Sequence, residues 1–419
     1  MTIRCRYRPD LLAVLFCLAS CGDGESPVQP PQQAGGFGSI LVSLQTAGTP
    51  LSPASFTITL DGGAARPVAP DGEVLFDSVS VGTHQVTLAD LSANCALDGP
   101  ESRSASVVAG GAARVRLFPW CVPPVPAGVE ILYVSGDVPL NRGFAGGVAN
   151  TDLAAIRADG RDSVTLVAGP HPDSMLSPWR FADPVWSPSG SAYLVVRHGA
   201  LFQEIWLAQA DGSGISHVTA GRLPTWAPDG NRVAYILGDA GISSAVHIVN
   251  LDGTDPSRVD LGAPADYVSW SPQGDRLAVE VAADVIMVDD DGSDPRPIGG
   301  PIDGARRGPS WSPDGTRLIY RVTFGNGNPW ALWTGKADGS GESLLFEPDG
   351  GASARRATWS PTGDRVLFSR YTVQCGPNSN NACPPNLFIL PGDGSGPAVG
   401  LVQRAGGAEA GSWRAAPGG

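Results

Sequence analysis

Seven cysteines, five histidines and one run of aspartates are the residues of this 419-residue chain whose types most directly suggest chemistry. Cys5, Cys17 and Cys21 fall within the first 21 residues, which leaves Cys95, Cys121, Cys375 and Cys383 to pair with one another. Four cysteines allow three connectivities. Nearness in sequence favours Cys95 with Cys121 and Cys375 with Cys383, one pair for each of two expected domains. Closing those loops contributes about 3.5 and about 2.6 kcal/mol in the chain-entropy description. A zinc site is disfavoured, because neither pair has CxxC spacing and His84, His171, His198, His217 and His247 stand singly. Asp289-Asp290-Asp291-Gly292-Ser293-Asp294 gathers hard oxygen donors around a glycine turn, yet no closing bidentate Glu follows. The expected reading is a solvated hairpin turn. Neither a Gly-x-Ser-x-Gly elbow nor a defensible Ser/His/Asp order supports nucleophilic catalysis, and no cofactor is expected.

The elements that must position such residues begin with a leader. Arg4, Arg6 and Arg8 precede the apolar run Leu11 to Leu18, which is too short to span a bilayer as a mature helix and reads as a secretory signal over residues 1–20. Leu18-Ala19-Ser20-Cys21, followed by Gly22, resembles the bacterial lipobox, in which the cysteine is diacylated and becomes the mature N-terminus. The resemblance implies lipidation at Cys21 and an exported protein held on a membrane face without spanning it. Residues 21–37, GDGESPVQPPQQAGGF after the cysteine, read as a flexible tether.

Formal net charge is −13, and loss of residues 1–20, with three Arg and one Asp, makes the mature chain more acidic still. Lys336 is the lone lysine and no basic run exceeds an arginine pair, so a nucleic-acid footprint is excluded. Gly (55) and Pro (38) are nearly twice as frequent as usual and show no Gly-X-Y period, which predicts many tight turns between short strands.

Over residues 38–125, short runs alternate apolar and polar positions: Phe56, Ile58 and Leu60; Val86 and Leu88; Val115 and Leu117. Period two predicts six or seven half-buried strands in a small β-sandwich. The stretch from Gly72 to Leu88, with Asn94-Cys95 and the closing Cys121, resembles bacterial immunoglobulin-like or PEGA-like surface domains, which implies a spacer or adhesive module. His84 and Trp120 are expected to serve packing before ligand contact.

The remainder, residues 127–419, repeats itself. Trp-Ser/Ala-Pro-x-Gly recurs at Trp186, Trp226, Trp270, Trp311 and Trp359, with spacings of 40, 44, 41 and 48, and a degenerate Trp413 follows 54 later. Each corner precedes a buried strand such as Val233 to Leu237, then a third strand such as Val246 to Val249, then an Asp-Gly turn; six such turns occur, from Asp159-Gly160 to Asp393-Gly394. That period is a four-strand propeller blade. The expectation is an all-β chain, a six-bladed β-propeller after a small β-sandwich. The count closes only if Trp413 shares a blade with Ile131 to Val134 and Leu153 to Ile156.

The pattern resembles the TolB-type WD40-like propeller repeat. The resemblance implies that the tryptophan strand is innermost, so that residues three or four before each tryptophan ring one channel mouth: Ala182, Arg222, Asp266, Arg307, Arg355 and Glu409, with Asp183, Tyr267 and Arg356. Such arginines could grip a carboxylate or a peptide terminus, or close a ring of ion pairs with Asp183, Asp266 and Glu409. The insertion between Cys375 and Cys383 is a second candidate recognition loop. Three functions stay open. One is a lipid-anchored, non-enzymatic propeller that binds an envelope protein, peptide or glycan. The others are a hydrolase or lyase using channel acids and a structural scaffold. Binding is the expectation, without enzymatic activity.

Overall fold

The computed structural model describes residues 36–48, 56–97, 99–136, 151–169, 180–199, 203–238, 243–298, 304–324, 330–349, 352–371, 386–402 and 408–415. The leader, nearly all of the tether, Cys21 and the Cys375–Cys383 insertion lie outside them. Every regular element among the described residues is a strand, so the chain is all-β.

The first nine strands form the N-terminal module. One sheet runs Glu73–Ser80, Phe37–Leu44, Ala112–Leu117, and the other Arg66–Val68, Phe56–Leu60, Gly82–Ala89, Ser102–Val107. Alternation turns Ile40, Val42, Phe56, Ile58, Val86 and Leu88 into one shared core. The strand count exceeds six or seven because Arg66–Val68, Cys95–Leu97 and Pro119–Cys121 are three residues each, too short for a period to register. The last two pair as a ribbon in which Cys95 faces Cys121 and the two are disulfide-bonded, Cα to Cα 4.0 Å. His84 is buried and satisfied. Its Nδ1 lies 2.6 Å from Asp61 and its Nε2 2.8 Å from the Ser80 carbonyl. Both partners are acceptors, and these hydrogen bonds favour the protonated ring and raise its pKa.

From Ile131 onward the described strands assemble into six four-stranded sheets. Five are consecutive in sequence, and their first strands are Arg180–Trp186, Arg222–Trp226, Ala265–Trp270, Ala305–Trp311 and Ser353–Trp359. The sixth joins the two ends of the domain: Ala408–Trp413 pairs antiparallel with Ile131–Gly136, which pairs with Thr151–Ile156. Each first strand touches the first strands of the sheets on either side, and Ala408–Trp413 meets both Ser353–Trp359 and Arg180–Trp186, so the ring closes and leaves no open sheet edge at the join. Second strands such as Ala192–His198 are buried on both faces between neighbouring sheets, hence their unbroken apolar runs.

The corner motif has a visible logic. Ser187, Ser271, Ser312 and Ser360 are buried, and each Oγ accepts the backbone N–H five residues on, at 2.9–3.2 Å. Gly190 and its counterparts adopt φ near +70°, where a side chain would be strained.

Trp120 couples the module to the ring. It is fully buried, 5.6 Å from Phe181 and 5.2 Å from Trp206 between ring centroids, with the buried Arg197 guanidinium over both Trp120 and Trp206. Two backbone bonds flank it, Val125 N–H to Ala210 O at 2.8 Å and Ile215 N–H to Ala93 O at 3.0 Å. Trp120→Ala is therefore expected to cost about 3–5 kcal/mol and to split the calorimetric unfolding of module and ring into separate transitions. An unsplit transition at the parental temperature would refute the coupling.

Candidate functional site

Every innermost strand carries a β-bulge just before its tryptophan. Register slips between Ala182 and Val185, Arg222 and Thr225, Ala265 and Tyr267, Arg307 and Ser310, and Arg355 and Thr358, and the sixth strand slips opposite Leu132 and Tyr133. Asp183, Leu223, Gly308 and Arg356, each three residues before a tryptophan, take φ between +49° and +60°. Positive φ is costly for the three that are not glycine, and bulges re-aim side chains. Here six bulges face one another across the ring axis.

What they bring together is charge. Arg356 pairs with both Asp183 and Glu409. Its strand and that of Asp183 belong to sheets separated by the sheet of Glu409, so the guanidinium reaches across the channel. Asp183 also accepts the Leu223 N–H at 3.2 Å, which ties in a further sheet. Burial works against the Arg356 charge, but the carboxylates of Asp183 and Glu409 outweigh it and hold the group well above its ordinary value. Arg180 nearby is pulled down by burial, partly offset by the same two carboxylates. Burial pushes His198 down to about 4, with Arg180, Arg356 and Arg222 adding to the effect against the pull of Asp183. Burial, then Glu409, raises Tyr371.

The other candidates sit around this plug. Arg307 donates to Glu280 Oε1 at 2.7 Å, and Glu280 Oε2 accepts the Gly308 N–H at 2.9 Å. Arg222 is buried, and Asp266 accepts from Ser244 Oγ at 3.4 Å. Arg355 lies 4.8 Å over the Tyr371 ring and, among the described residues, has no carboxylate partner. Arg321 and Arg307 both face Trp330, at 4.8 and 5.8 Å. The half-buried Arg355 and one-third-exposed Arg307 occupy adjacent innermost strands, so the mouth keeps an arginine–aromatic side next to its neutralised side.

Several of these groups were missed when the sequence was read alone. Glu280 and Arg321 interrupt otherwise apolar strands, Leu277 to Val281 and Leu318 to Val322. A charge in such a run must find a partner, and that signal was available. The Arg306–Glu342–Tyr320 cluster, at 2.8 Å and 2.5 Å, had no such signal because Glu342 lies in a turn-rich stretch. The aspartate run is a turn whose carboxylates face arginines: Asp290 meets Arg232 at 3.1 Å, and Asp294 meets Arg296 at 2.6 Å. Among the described residues no group of three or more His, Cys, Asp or Glu is disposed to hold a metal ion.

Comparison with known proteins agrees with this architecture. No family model matches the chain. It is 27% identical over 212 residues to an uncharacterised protein of Agrobacterium fabrum, covering 46% of this chain and 67% of that one. A segment of 97 residues is 31% identical to the Tol-Pal system protein TolB of Alcanivorax borkumensis, covering 21% of each. The crystal structure of TolB from Acinetobacter baumannii superposes with a TM-score of 0.54 at 16% identity, covering 69% of this chain and 68% of that one, which shows a shared fold.

Two measurements probe the site. Arg356→Met removes the guanidinium that Asp183 and Glu409 share and should destabilise the chain by about 3–5 kcal/mol in urea denaturation; a loss below about 1 kcal/mol would mean that the pair is not a structural plug. The folded chain keeps His198 neutral down to about pH 4, whereas an unfolded one protonates it near 6.5. This contribution is therefore full above pH 6.5 and lost as pH falls, on the order of 2 kcal/mol between pH 7 and pH 5. The raised His84 acts with the opposite sign, so the comparison uses His198→Gln, in which this acid loss should vanish. An unchanged pH profile would reject the assignment.

Proposed function

Because the chain carries a TolB-type β-propeller, we propose that it is an exported, non-enzymatic binding protein, held on the cell envelope by lipid on Cys21. It takes a protein or peptide partner by a carboxylate at the arginine–aromatic side of the channel mouth. The observation that carries the reading is Arg355. It is a half-buried guanidinium over Tyr371 without a carboxylate partner among the described residues, beside Arg307 and Trp330 in an acidic chain. A planar guanidinium in that setting suits a carboxylate, which can accept two parallel hydrogen bonds. A protein partner also fits the name of the TolB relative, a Tol-Pal system protein.

Acid–base catalysis draws less support. Asp183 and Glu409, two of the acids such chemistry would use, are both bound to Arg356, and Glu280 is bound to Arg307 and the Gly308 amide. A general acid needs a proton to give and a general base a free lone pair aimed at substrate; these carboxylates spend theirs on the protein. Export is consistent with the Cys95–Cys121 disulfide, a bond typical of proteins folded outside the reducing cytoplasm.

The binding test uses envelope extracts and the lipid-bearing chain as bait, with captured proteins identified by mass. Arg355→Glu should lower recovery of the principal partner at least tenfold while leaving the fold intact by circular dichroism; full recovery would sink the reading. Anchoring is tested separately. Cys21→Ser should move the chain from the membrane to the soluble fraction and abolish the diacyl mass increment on the N-terminal peptide.

A further inference from the structure

The N-terminal module has two unlike poles. Phe37–Leu44 and Ala112–Leu117 run parallel from one pole to the other. They end at the ring, where Ala47 bridges to Trp120 and Trp120 is buried against Phe181 and Trp206. They start at a pole made of residues 36–39, 80–83 and 108–113. These segments are laced together by Val81 N–H to Gly36 O at 3.0 Å and Gly110 N–H to Phe37 O at 2.9 Å.

That free pole is apolar and uncharged. Phe37, Val81 and Val108 are 62, 37 and 66% exposed there, and none of the three segments contains a charged residue. Elsewhere the module carries Asp71, Glu73, Asp90 and Glu101 in turns or at a strand end. Asp77 lies on the strand that ends at the pole, and Asp61 is hydrogen-bonded to His84 Nδ1 at 2.6 Å. An isolated exposed apolar side chain is ordinary; three on one uncharged tip of an acidic chain call for something apolar to cover them.

The occupant is indicated by where the chain enters. Phe37 begins the first strand, and Cys21 lies 16 residues upstream. Read from its composition as a tether, a stretch of that length has a root-mean-square span of about 20–24 Å. On the anchored reading above, the pole is therefore confined near the bilayer surface, where even weak apolar contacts are populated because the effective concentration is in the millimolar range.

We propose that the pole formed by Phe37, Val81 and Val108 is a membrane-seating foot that inserts into the lipid interface beside the anchor. The module then acts as a strut. Eight residues of strand, at roughly 3.3 Å each, hold the ring about 25 Å off the surface.

The test does not depend on acylation. The chain from Gly22 onward, carrying a decahistidine tag in place of residues 1–21, is bound to vesicles of phosphatidylethanolamine and phosphatidylglycerol doped with nickel-chelating lipid. An environment-sensitive fluorophore is placed on Val108→Cys or, as a control, on Leu344→Cys, which is 47% exposed on the ring. Nitroxide lipids should quench the label at 108 at least twofold more than the label at 344. Val81→Asp in the Val108→Cys background should bring quenching at 108 down to the level at 344. Equal quenching at the two sites in the parental chain would overturn the foot, whatever the fate of Cys21 in cells. So would vesicle-free self-association that shields position 108 in sedimentation, which would assign the pole to a second copy of the chain.

Discussion

A guanidinium laid across the next sheet's tryptophan is the contact on which the ring depends. Arg232 lies 5.0 Å over Trp270, Arg317 4.9 Å over Trp359, Arg365 4.9 Å over Trp413, and Arg414 4.6 Å over Trp186. In the first three cases the arginine stands six residues after its own tryptophan, just past the Pro-x-Gly corner, and reaches the neighbouring sheet. At these four seams the tryptophan is covered by an arginine of the sheet before it, and three of the four arginines stand just past a corner. The contact joins apolar burial to cation–π attraction and sets how sheets face each other. With the seams set, the bulges just before the tryptophans are directed to the ring axis.

The axis is then governed by the cost of burying charge. Arginine and carboxylate side chains meet there buried or half-buried, and an unpaired one would be expensive. Arg356 resolves this by spanning three sheets between Asp183 and Glu409, and Arg307 by sharing Glu280 with the Gly308 amide. Pairing is uneven around the ring. It neutralises one side and leaves Arg355 stacked on Tyr371, where the aromatic face compensates in part and solvent does the rest. A closed pair and a half-open guanidinium thus coexist at corresponding positions, because the residues four and three before each tryptophan differ from sheet to sheet while a bulge recurs in every one of these strands.

The ring was legible in the sequence because its signals are local and repeated: a tryptophan, a serine whose Oγ takes the amide five residues on, a proline, a glycine at positive φ. Even the join between Ala408–Trp413 and Ile131–Gly136 followed from counting strands. The contents of the channel were legible only as a roster. Placing Arg356 between Asp183 and Glu409 needs distances across 173 residues of sequence in one case and across a neighbouring sheet in the other, and no spacing rule encodes them. Glu280 and Arg321 were visible as charges in apolar strands, though their partners were not. Trp120 read only as a packing residue, since its neighbours Phe181 and Trp206 belong to another domain.

That interface bears on how the site works. A module joined only by a linker would leave the ring free to tumble. Here Trp120, Val122 and Val125 share one apolar cluster with Leu132, Phe181 and Trp186, and the disulfide ribbon holds Trp120 between Ala96 and the ring. Arg197, buried against Trp120 and Trp206 and paired with Glu204 at 2.9 Å, repeats at the interface the arginine–tryptophan chemistry of the seams. The channel mouth is therefore positioned by packing through the module rather than by the length of a tether. On the proposed binding role, a backbone bulged in advance needs little reorganisation, and both features reduce the conformational entropy lost on association, one of the terms that separate weak from tight binding at interfaces of equal area.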